Sequence, residues 1–267
     1  MKTHGVDPRL YDTKYYLQEC STCHLKKVTS LIPIKSDYKV LDIGCGRGEL
    51  ATWAASKGCS VIGIDYSSAA IKIANKVLLR QPTLIRQRVK FKSMNLNNLE
   101  FTRETFDVVT CVEVLEHIYP DEQEQLLKQI KVILKPGGYL FIHTAPSKWF
   151  LDITYRFWCY PIGCSATNIW NFVFNKNYGN LVQWSKLRNN YHKTMHVNEP
   201  DYFSLKKLFS KYGFSGQILS TNVTVNKPIV SWKDALFNFL VYLSPLSNHP
   251  PLCVFWGNDY YAILRHQ

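Results

Sequence analysis

The chain has no apolar run long enough to cross a bilayer. A membrane-spanning helix needs roughly 18 to 20 consecutive apolar residues, and no window of the sequence reaches that length. The opening stretch MKTHGVDPRLYDTKYY has no apolar segment of the kind found in secretory signals, and internal repeats and low-complexity tracts are absent from the sequence. We therefore expect a soluble or peripheral, cytoplasmic protein.

Acidic residues are scarce. The 20 Asp and Glu residues face 32 Lys and Arg residues, which gives a formal net charge of +12. Such an excess favours anionic partners, namely nucleic acid, phosphorylated small molecules or an anionic membrane face. The charge alone does not choose among these three.

A regular cysteine framework is also lacking. The eight cysteines are scattered through a chain much longer than a disulfide-stapled module, which favours a reducing compartment. The spelling CSTCH at positions 20–24 matches a c-type haem attachment pattern, but that pattern belongs to exported proteins. As a zinc knuckle it supplies at most three ligands and has no second CxxC pair. We expect neither haem nor structural zinc.

Short apolar strands alternate with amphipathic helices in the first half of the chain. Strands are predicted at 39–43, 60–64, 89–94, 106–112 and 139–145, and helices at 49–57, 68–79 and 121–134. This alternation predicts βαβ crossovers and an α/β fold, with a parallel sheet covered on both faces. Further helices are predicted at 201–212 and 232–243, and further strands at 217–223 and 260–264.

A length of 267 residues is typical of one α/β domain with insertions. We divide this predicted single domain (1–267) into an N-terminal cap (1–38), a cofactor-binding core (39–147), a lid or acceptor insertion (148–195) and a C-terminal part of the sheet (196–267).

A glycine-rich turn follows the first predicted strand. KVLDI runs into GCGRGEL, so Gly44, Gly46 and Gly48 lie between a strand and a helix. Glycines let the backbone approach a ligand closely and present amide N–H groups to it. The spacing is GxGxG, whereas a dinucleotide fingerprint is GxGxxG. Asp65 ends the second strand, where a carboxylate can accept both hydroxyls of a ribose. Together these features predict a site for a nucleoside-bearing cofactor.

Four blocks extend this pattern: VLDIGCGRGEL, GIDYS, FDVVTCVEVLEHI and LKPGGYLFIHT. In order and spacing they resemble the class I S-adenosylmethionine-dependent methyltransferases over residues 39–145. The resemblance implies a Rossmann-like sandwich with a mostly parallel seven-stranded sheet, and S-adenosylmethionine as cofactor. Both the glycine spacing and the PGG turn argue against a nicotinamide enzyme.

The resemblance also implies a set of residues beside the cofactor. The glycines would line its methionine part, Asp65 would hold the ribose and Tyr66 would pack against adenine. Asn95 stands where the family often has an Asp, and its amide oxygen can accept the same hydrogen bond. The full implied set is Asp42, Gly44, Cys45, Gly46, Gly48, Asp65, Tyr66, Asn95, Leu96, Cys111 and Val112.

The stretch VEVLEHI brings two carboxylates and an imidazole together. If a helix begins near Val114, then Glu113, Glu116 and His117 share one face and can hold a hard metal ion. The E-x-x-E-H spelling resembles quinone-ring O-methyltransferases and small-RNA 3′-terminal 2′-O-methyltransferases. In both groups the resemblance implies a divalent metal near the acceptor hydroxyl, here Mg²⁺ or Mn²⁺, which would lower the pKa of that hydroxyl. His192 and His196 are the candidates for a further ligand.

A second interpretation of the same stretch involves no metal. Glu113 can cap the fourth strand, and Glu116 can lie at a helix N-terminus, where the helix dipole favours a carboxylate. His117 is then the first candidate for a general base, because imidazole titrates near neutral pH. His143 and His196 are the reserve candidates.

An aromatic and basic segment follows the fifth strand, at 148–191, where no regular helix or strand is predicted. In the family that this sequence resembles, the corresponding connection commonly lies over the catalytic mouth. We expect acceptor contacts from Tyr15, Tyr16, Trp149, Tyr155, Arg156 and Trp158. Rings and cations together also suit a membrane interface, whereas a folded lid whose aromatics pack on the sheet is the alternative.

These features predict an S-adenosylmethionine-dependent methyltransferase acting on a hydroxyl of an amphiphilic, lipid-linked or glycosylated small molecule, with peripheral contact to an anionic membrane. One alternative is an RNA 2′-O-methyltransferase that acts on a terminal ribose with metal assistance, because rings and cations also suit RNA. The other is a non-catalytic interaction module.

Overall fold

The strands of the computed structural model follow the predicted apolar runs. The structure describes residues 22–188, 196–222 and 229–266. In this part of the chain the strands are β1 (Lys39–Ile43), β2 (Ser60–Asp65), β3 (Val89–Ser93), β4 (Phe106–Val112), β5 (Leu134–Thr144), β6 (Phe214–Thr221) and β7 (Asp259–His266). Tyr15, Tyr16 and His192 lie outside the described residues, and so does most of the predicted N-terminal cap.

These strands form one seven-stranded sheet in the order β3-β2-β1-β4-β5-β7-β6. The first five strands along the chain run parallel, and β7 lies antiparallel between β5 and β6. Leu41 at the centre of β1 lies opposite Ile62 of β2 and Val109 of β4. The predicted Rossmann-like architecture with a mostly parallel seven-stranded sheet is confirmed.

Helices cover both faces of the sheet. In chain order they are α1 (Thr22–Leu31), α2 (Glu49–Ser56), α3 (Ser68–Leu79), α4 (Thr83–Arg88), α5 (Pro120–Ile133), α6 (Tyr160–Phe174), α7 (Trp184–Leu187), α8 (Tyr202–Lys211), α9 (Trp232–Tyr242) and α10 (Leu252–Trp256). On one face Leu126 of α5 and Phe209 of α8 pack with Leu41 and Ile43. On the other face Val28 of α1 and Ala51 of α2 pack with residues of the same sheet. The sheet is therefore buried between two layers, as its parallel strands require.

The segment after β5 differs from the prediction. Residues 148–191 were predicted to be irregular, but Phe150–Cys159 form a π-helix that continues directly into α6. The physical reason is a small separate core, in which Phe150, Tyr155 and Cys159 pack against Val241 and Tyr242 of α9. The aromatic residues of this segment thus stabilise a folded helical unit.

Two boundaries also differ. The predicted turn at Lys135-Pro136-Gly137-Gly138 lies inside β5, which begins immediately after α5. Gly137 adopts a left-handed φ of 72° there, and the register between β4 and β5 shifts between Phe106 and Val108. An irregular start of the strand therefore replaces a separate turn.

Candidate functional site

The glycine-rich turn is fixed to the end of the second strand. The N–H groups of Gly44 and Cys45 both donate to the carbonyl oxygen of Ile64, at 2.8 and 2.9 Å. Gly44 has a φ of 69°, and a Cβ atom there would lie 2.4 Å from a methyl group of Val114. Only glycine meets both demands, since left-handed backbone and close approach each disfavour a side chain. The turn thereby lies at the carboxyl edge of β1 and β2, where parallel α/β sheets bind ligands.

Asp65 joins this turn to the start of α3. Its carboxylate accepts hydrogen bonds from the N–H of Gly46 at 3.0 Å and from the N–H of Ser67 at 2.8 Å. Burial raises the pKa of Asp65, and these two N–H donors oppose that rise. The Ser67 hydroxyl in turn accepts from the N–H of Ala70 and caps α3. Asp65 is therefore a structural link between two loops as well as the predicted ribose acceptor.

Asp42 lies beneath the turn and is almost fully buried. The Thr110 hydroxyl donates to its Oδ1 at 2.8 Å, while Oδ2 has no hydrogen-bond partner among the described residues. Burial, followed by the repulsion of Asp65 and Glu49, raises the pKa of Asp42 to about 7, although the Thr110 hydrogen bond opposes the rise. A carboxyl group with that pKa is half protonated near neutral pH.

The two predicted cofactor-site cysteines are buried thiols. Burial is the main cause that raises the pKa of both Cys45 and Cys111 far above the usual value for a thiol. A thiolate is the reactive form of cysteine, so both side chains act as small apolar groups in the wall of the site.

The remaining predicted cofactor residues lie near the ends of the strands. Tyr66 and Val112 are partly exposed at the ends of β2 and β4. Asn95 is exposed after β3, and its Oδ1 accepts from the N–H of Asn97 at 3.0 Å. Because a carbonyl oxygen has two lone pairs, this bond leaves Asn95 one acceptor position. The backbone oxygen of Leu96 accepts from Gln129 Nε2 at 2.9 Å.

Glu113 begins the VEVLEHI stretch in a left-handed conformation, with a φ of 56°. Its N–H donates to the carbonyl of His143 at 3.1 Å, and its Oε1 lies 2.6 Å from His143 Nδ1. The Glu113 side chain keeps 41% of its surface exposed. The backbone geometry and the ion pair together orient this carboxylate at the carboxyl edge of β4.

His143 is fully buried, so no acceptor reaches it in this conformation. Its Nε2 lies 3.5 Å from Asp259 Oδ1, and its ring packs 4.3 Å from the ring of Tyr261. Burial lowers the pKa of His143, but Glu113 and Asp259 together outweigh burial and raise it to about 9. The imidazole is therefore cationic near neutral pH. Enclosed between Glu113 and Asp259, the imidazole is poorly placed to accept a substrate proton in this structure, and its role as a reserve general base stays a prediction.

Glu116 is also fully buried. Thr144 Oγ1 donates to its Oε2 at 2.8 Å. Burial, followed by the charge of Glu113, raises the pKa of Glu116 well above its usual value. An enclosed carboxyl group with one oxygen already bonded to Thr144 is a poor metal ligand.

The predicted metal cluster is not assembled within the described residues. Residues Leu115–His117 form a single 3₁₀ turn, and α5 begins only at Pro120, so Glu113, Glu116 and His117 do not share one α-helical face. In that part of the chain no three His, Cys, Asp or Glu side chains are placed to hold a metal ion. The described donors do not fit the predicted metal because Glu113 pairs with His143 and Glu116 is buried.

His117 and His196 come together, as two of the predicted catalytic residues. Their ring centroids lie 4.9 Å apart with a 68° angle between the ring planes, and both side chains are partly exposed. The N–H groups of Val197 and Asn198 donate to the carbonyl of Glu116 at 2.9 and 3.2 Å. These bonds hold the 196–200 segment against the turn after β4, beside the glycine-rich turn.

The predicted acceptor contacts lie mainly in the helical unit after β5. Trp149 stacks on Phe255 at 4.9 Å between ring centroids. The buried Tyr155 donates its hydroxyl to the carbonyl of Val182 at 2.6 Å. Trp158 Nε1 donates to the carbonyl of Leu240 at 3.3 Å, near the C-terminal end of α9. Within this unit these contacts support the folded-lid interpretation.

Arg156 lies over the rings of Trp184 and Phe157, at 4.4 and 4.9 Å from their centroids. This places its charge at the surface of the same helical unit. The role of Trp149, Tyr155, Arg156 and Trp158 in binding the acceptor stays a prediction.

Sequence reasoning missed three polar partners of the site: Thr110, Thr144 and Asp259. Each is a polar residue in an otherwise apolar strand, and each is buried. Such residues need a partner, since an unpaired buried polar group is costly. The presence of a polar residue in an apolar strand could have indicated a buried polar contact, but the sequence alone does not identify the residue that makes it.

Comparison with known proteins agrees with this geometry. Residues 15–217 match a family model described as a methyltransferase domain. A ubiquinone biosynthesis O-methyltransferase of Haemophilus ducreyi is 39% identical over 107 residues, which are 40% of this chain and 44% of that protein. One from Nitrosomonas europaea is 34% identical over 129 residues, covering 48% and 52% of the two chains. The match thus spans about half the length of these relatives.

A solved S-adenosylmethionine-dependent methyltransferase from Methanosarcina mazei has the same fold. It is 24% identical with a TM-score of 0.54, and the superposition covers 88% of this chain and 97% of that one. The sheet order, the glycine-rich turn tied to Asp65 and the matched family model agree. The chain belongs to the class I S-adenosylmethionine-dependent methyltransferase family.

Proposed function

We propose that the protein transfers a methyl group from S-adenosylmethionine to a hydroxyl of a lipid-linked small molecule. The observation that carries the proposal is the Asp65 carboxylate, which joins the glycine-rich turn to α3. The paired His117 and His196 lie at the turn after β4, whose Val114 lies against Gly44 of the glycine-rich turn. The names of the relatives in ubiquinone biosynthesis support a small-molecule hydroxyl as acceptor. They favour this acceptor over an RNA ribose.

When bound, S-adenosylmethionine supplies an electrophilic methyl group. The glycine-rich turn offers backbone N–H groups without side chains, so the cofactor can approach it closely. Asp65 accepts the ribose hydroxyls while its present N–H donors hold the carboxylate in place. The buried thiols of Cys45 and Cys111 keep water away from the same wall.

The imidazole of His117 accepts the proton of the acceptor hydroxyl, and His196 orients the ring by edge-to-face contact. Imidazole suits this role because its usual pKa lies near neutral pH. Glu113 lies at the same edge and is held by the His143 cation. We assign Glu113 a positioning role for the acceptor, since its carboxylate is exposed and its direction is fixed.

This proton-transfer role is tested with labelled S-adenosylmethionine and phenols that carry a free ring hydroxyl, with and without a polyprenyl tail. His117→Asn should lower kcat by about 10² to 10⁴ and leave S-adenosylhomocysteine affinity unchanged. His249→Asn, at a histidine outside the site, is the matched control. If the protein methylates RNA 3′ ends and none of the phenols, the RNA alternative replaces the small-molecule proposal.

We also propose that the protein meets its acceptor at an anionic membrane surface. Helix α6 contains no charged residue and exposes Ile169, Phe172 and Val173, with Phe172 90% exposed. Helix α9 packs beside it, where Trp170 meets Trp232 at 6.2 Å and Lys233 lies 5.1 Å over the Trp170 ring. Apolar rings edged by a cation suit the membrane interface.

The contact would be peripheral. Among the described helices none combines the length and apolarity that crossing a membrane requires. We call the exposed faces of α6 and α9 the apolar face. Its side chains would enter the headgroup region while the sheet stays in water, so that a lipid-linked acceptor reaches the site without leaving the bilayer.

Flotation with vesicles containing anionic lipid tests the apolar face. Phe172→Ser combined with Trp232→Ser should abolish flotation and lower turnover of the polyprenylated phenol, with turnover of a soluble phenol retained. Leu79→Ser is the control, because Leu79 is 68% exposed on α3, away from that face. If wild type does not float, or if the double variant floats equally well, the membrane proposal is wrong.

A further inference from the structure

A cavity opens at the opposite edge of the sheet from the glycine-rich turn. Its volume is about 300 Å³. Arg103 precedes β4, Lys128 and Lys131 lie near the end of α5, and Lys211 ends α8. All four side chains line the cavity. Because β4 has seven residues and a strand rises about 3.3 Å per residue, the cavity lies roughly 20 Å from the cofactor edge.

The positive charge in this cavity is incompletely neutralised. Lys211 Nζ pairs with Glu124 at 2.7 Å, and Lys128 lies 5.8 Å over the ring of Tyr212. Among the described residues, Arg103 and Lys131 have no hydrogen bond or ion pair. Glu104 is the acidic member of the lining. Four basic side chains therefore meet two acidic ones, Glu104 in the lining and Glu124 beside Lys211, and the remaining repulsion among the cations would be relieved by a bound anion.

The backbone makes room for this arrangement. Gly213 follows Tyr212 with a left-handed φ of 77°, and a Cβ atom on it would lie 2.8 Å from Lys131 Nζ. The missing side chain lets the Lys131 ammonium lie against the turn that ends α8. Two helices and a loop thus bring their cations to one cavity, although they are distant in sequence.

Helix dipoles explain part of this pattern. Lys131 and Lys211 lie in the last turns of α5 and α8, where a cation stabilises the helix. That effect does not account for Arg103, which comes from a loop and has no anionic partner among the described residues. The helix dipoles also do not explain why Lys131, Lys211 and Arg103 all line the same cavity.

We propose that this cavity binds the phosphoryl group of a phosphorylated small molecule, at a site separate from the methyl-transfer site. A guanidinium group binds two phosphate oxygens at once, and lysine ammonium groups act as point charges for the others. His266 at the end of β7 adds a further ring nitrogen to the lining, and Tyr212 adds an aromatic wall. A volume of about 300 Å³ suits a phosphomonoester or diphosphate group.

Calorimetry with pyrophosphate tests the site in the whole chain. Replacing Arg103→Gln and Lys131→Gln together should weaken pyrophosphate binding at least about tenfold, because two charge-assisted contacts are lost. The control variant Lys72→Gln with Lys76→Gln removes two exposed lysines of α3, and Lys76 lies in that helix's last turn. It should change the affinity less than about twofold. Binding should also weaken as salt is raised.

A second variant separates charge from structure. Arg103→Lys with Lys131→Arg keeps both charges and should retain most of the binding, and thermal melting without pyrophosphate checks that each variant folds. Vesicles of phosphatidylcholine with phosphatidic acid identify the source of the phosphoryl group. The site would be assigned to a lipid headgroup if wild type binds these vesicles but not pyrophosphate, and if the Arg103→Gln, Lys131→Gln variant loses vesicle binding.

The proposal is overturned if wild type binds neither probe, or if the double Gln variant binds pyrophosphate as wild type does. Binding of an RNA oligonucleotide alone, with equal affinity for both proteins, would also overturn it in favour of a diffuse basic surface. None of these readouts uses methyl transfer, so the result stands apart from the proposed function.

Discussion

Replacing Asp65 should weaken cofactor binding and the fold at the same time. Its carboxylate accepts the N–H of Gly46 at 3.0 Å and the N–H of Ser67 at 2.8 Å. Asp65→Ala removes both acceptors from a buried position. The glycine-rich turn then loses its link to α3, and the ribose loses its acceptor.

The two losses have different sizes. Two backbone N–H groups left without an acceptor in a buried site cost about 1 to 3 kcal/mol of unfolding free energy, since other groups or water replace the carboxylate only in part. The hydrogen bonds between a carboxylate and the ribose contribute on the order of 2 kcal/mol to binding, which is about thirtyfold in Kd. Asp65→Asn keeps one acceptor oxygen and should fall between wild type and Asp65→Ala in both measurements.

Calorimetry with S-adenosylhomocysteine measures the affinity, and urea denaturation measures the unfolding free energy. The control is Asp107→Asn. Asp107 also accepts a backbone N–H, from Lys39 at 2.8 Å, and pairs with Lys135 at 2.6 Å, but it lies at the opposite edge of the sheet. Asp107→Asn should lower the unfolding free energy and leave the affinity for S-adenosylhomocysteine unchanged. Equal affinity of wild type and Asp65→Ala, or an equal loss in Asp107→Asn, would refute the assigned role.

Three further outcomes follow from the site. The pKa of Asp42 in the folded protein is raised to about 7 from 3.8, so between these pH values the folded state binds one proton more than the unfolded state. The unfolding free energy of the protein should therefore fall by on the order of 4 kcal/mol as pH rises from about 4 through 7. Denaturation curves of Asp42→Asn should show a smaller fall. Gly48→Ala should lower unfolding free energy by about 1 to 3 kcal/mol, because its Cβ would lie 2.4 Å from the Phe91 ring at a φ of 83°, and Phe91→Ala should recover part of the loss. Methyl transfer should persist in excess EDTA, because Glu113 is paired with His143 and Glu116 is buried; loss of activity that Mg²⁺ restores would return the metal hypothesis.

The cofactor half of the fold was predictable because its signals are local. The bounds of β1, β4 and α3 agree with the prediction to the residue. The strands are short apolar runs, and α3 is an amphipathic helix that begins directly after its capping residue Ser67. The glycine positions were predictable for the same reason, since a tight turn between strand and helix needs left-handed backbone.

The helical unit after β5 was not predictable in the same way. Its aromatic residues have no clean amphipathic period, because the π-helix changes the spacing between turns. What fixes the unit is a contact with α9: Cys159 Sγ donates to the carbonyl of Val241 at 3.1 Å, far along the chain. No local pattern in residues 148–191 contains that information.

The start of α5 agrees with the helix predicted at 121–134 to within one residue. The alternative in which a helix begins near Val114 and aligns Glu113, Glu116 and His117 is not adopted, because Pro120 occupies the first turn of α5 and Tyr119 precedes it. The N–H of Tyr119 donates to Glu122 Oε2 at 2.9 Å, which fixes the helix start. Proline followed by acidic residues is a typical helix start. The preceding residues therefore adopt a separate 3₁₀ turn and point their side chains in different directions.

His143 illustrates why a buried polar residue must be interpreted through its partners. The imidazole in β5 lies between Glu113 after β4 and Asp259 in β7, so it joins three neighbouring strands at the carboxyl edge of the central ones. Removing it would leave Asp259, which is fully buried, without this cation, and an unpaired buried charge is strongly destabilising. An inactive His143 variant would thus be expected even though no acceptor touches the imidazole. Only a variant whose stability and cofactor affinity are measured together can separate the orientation of Glu113 from the integrity of the sheet edge.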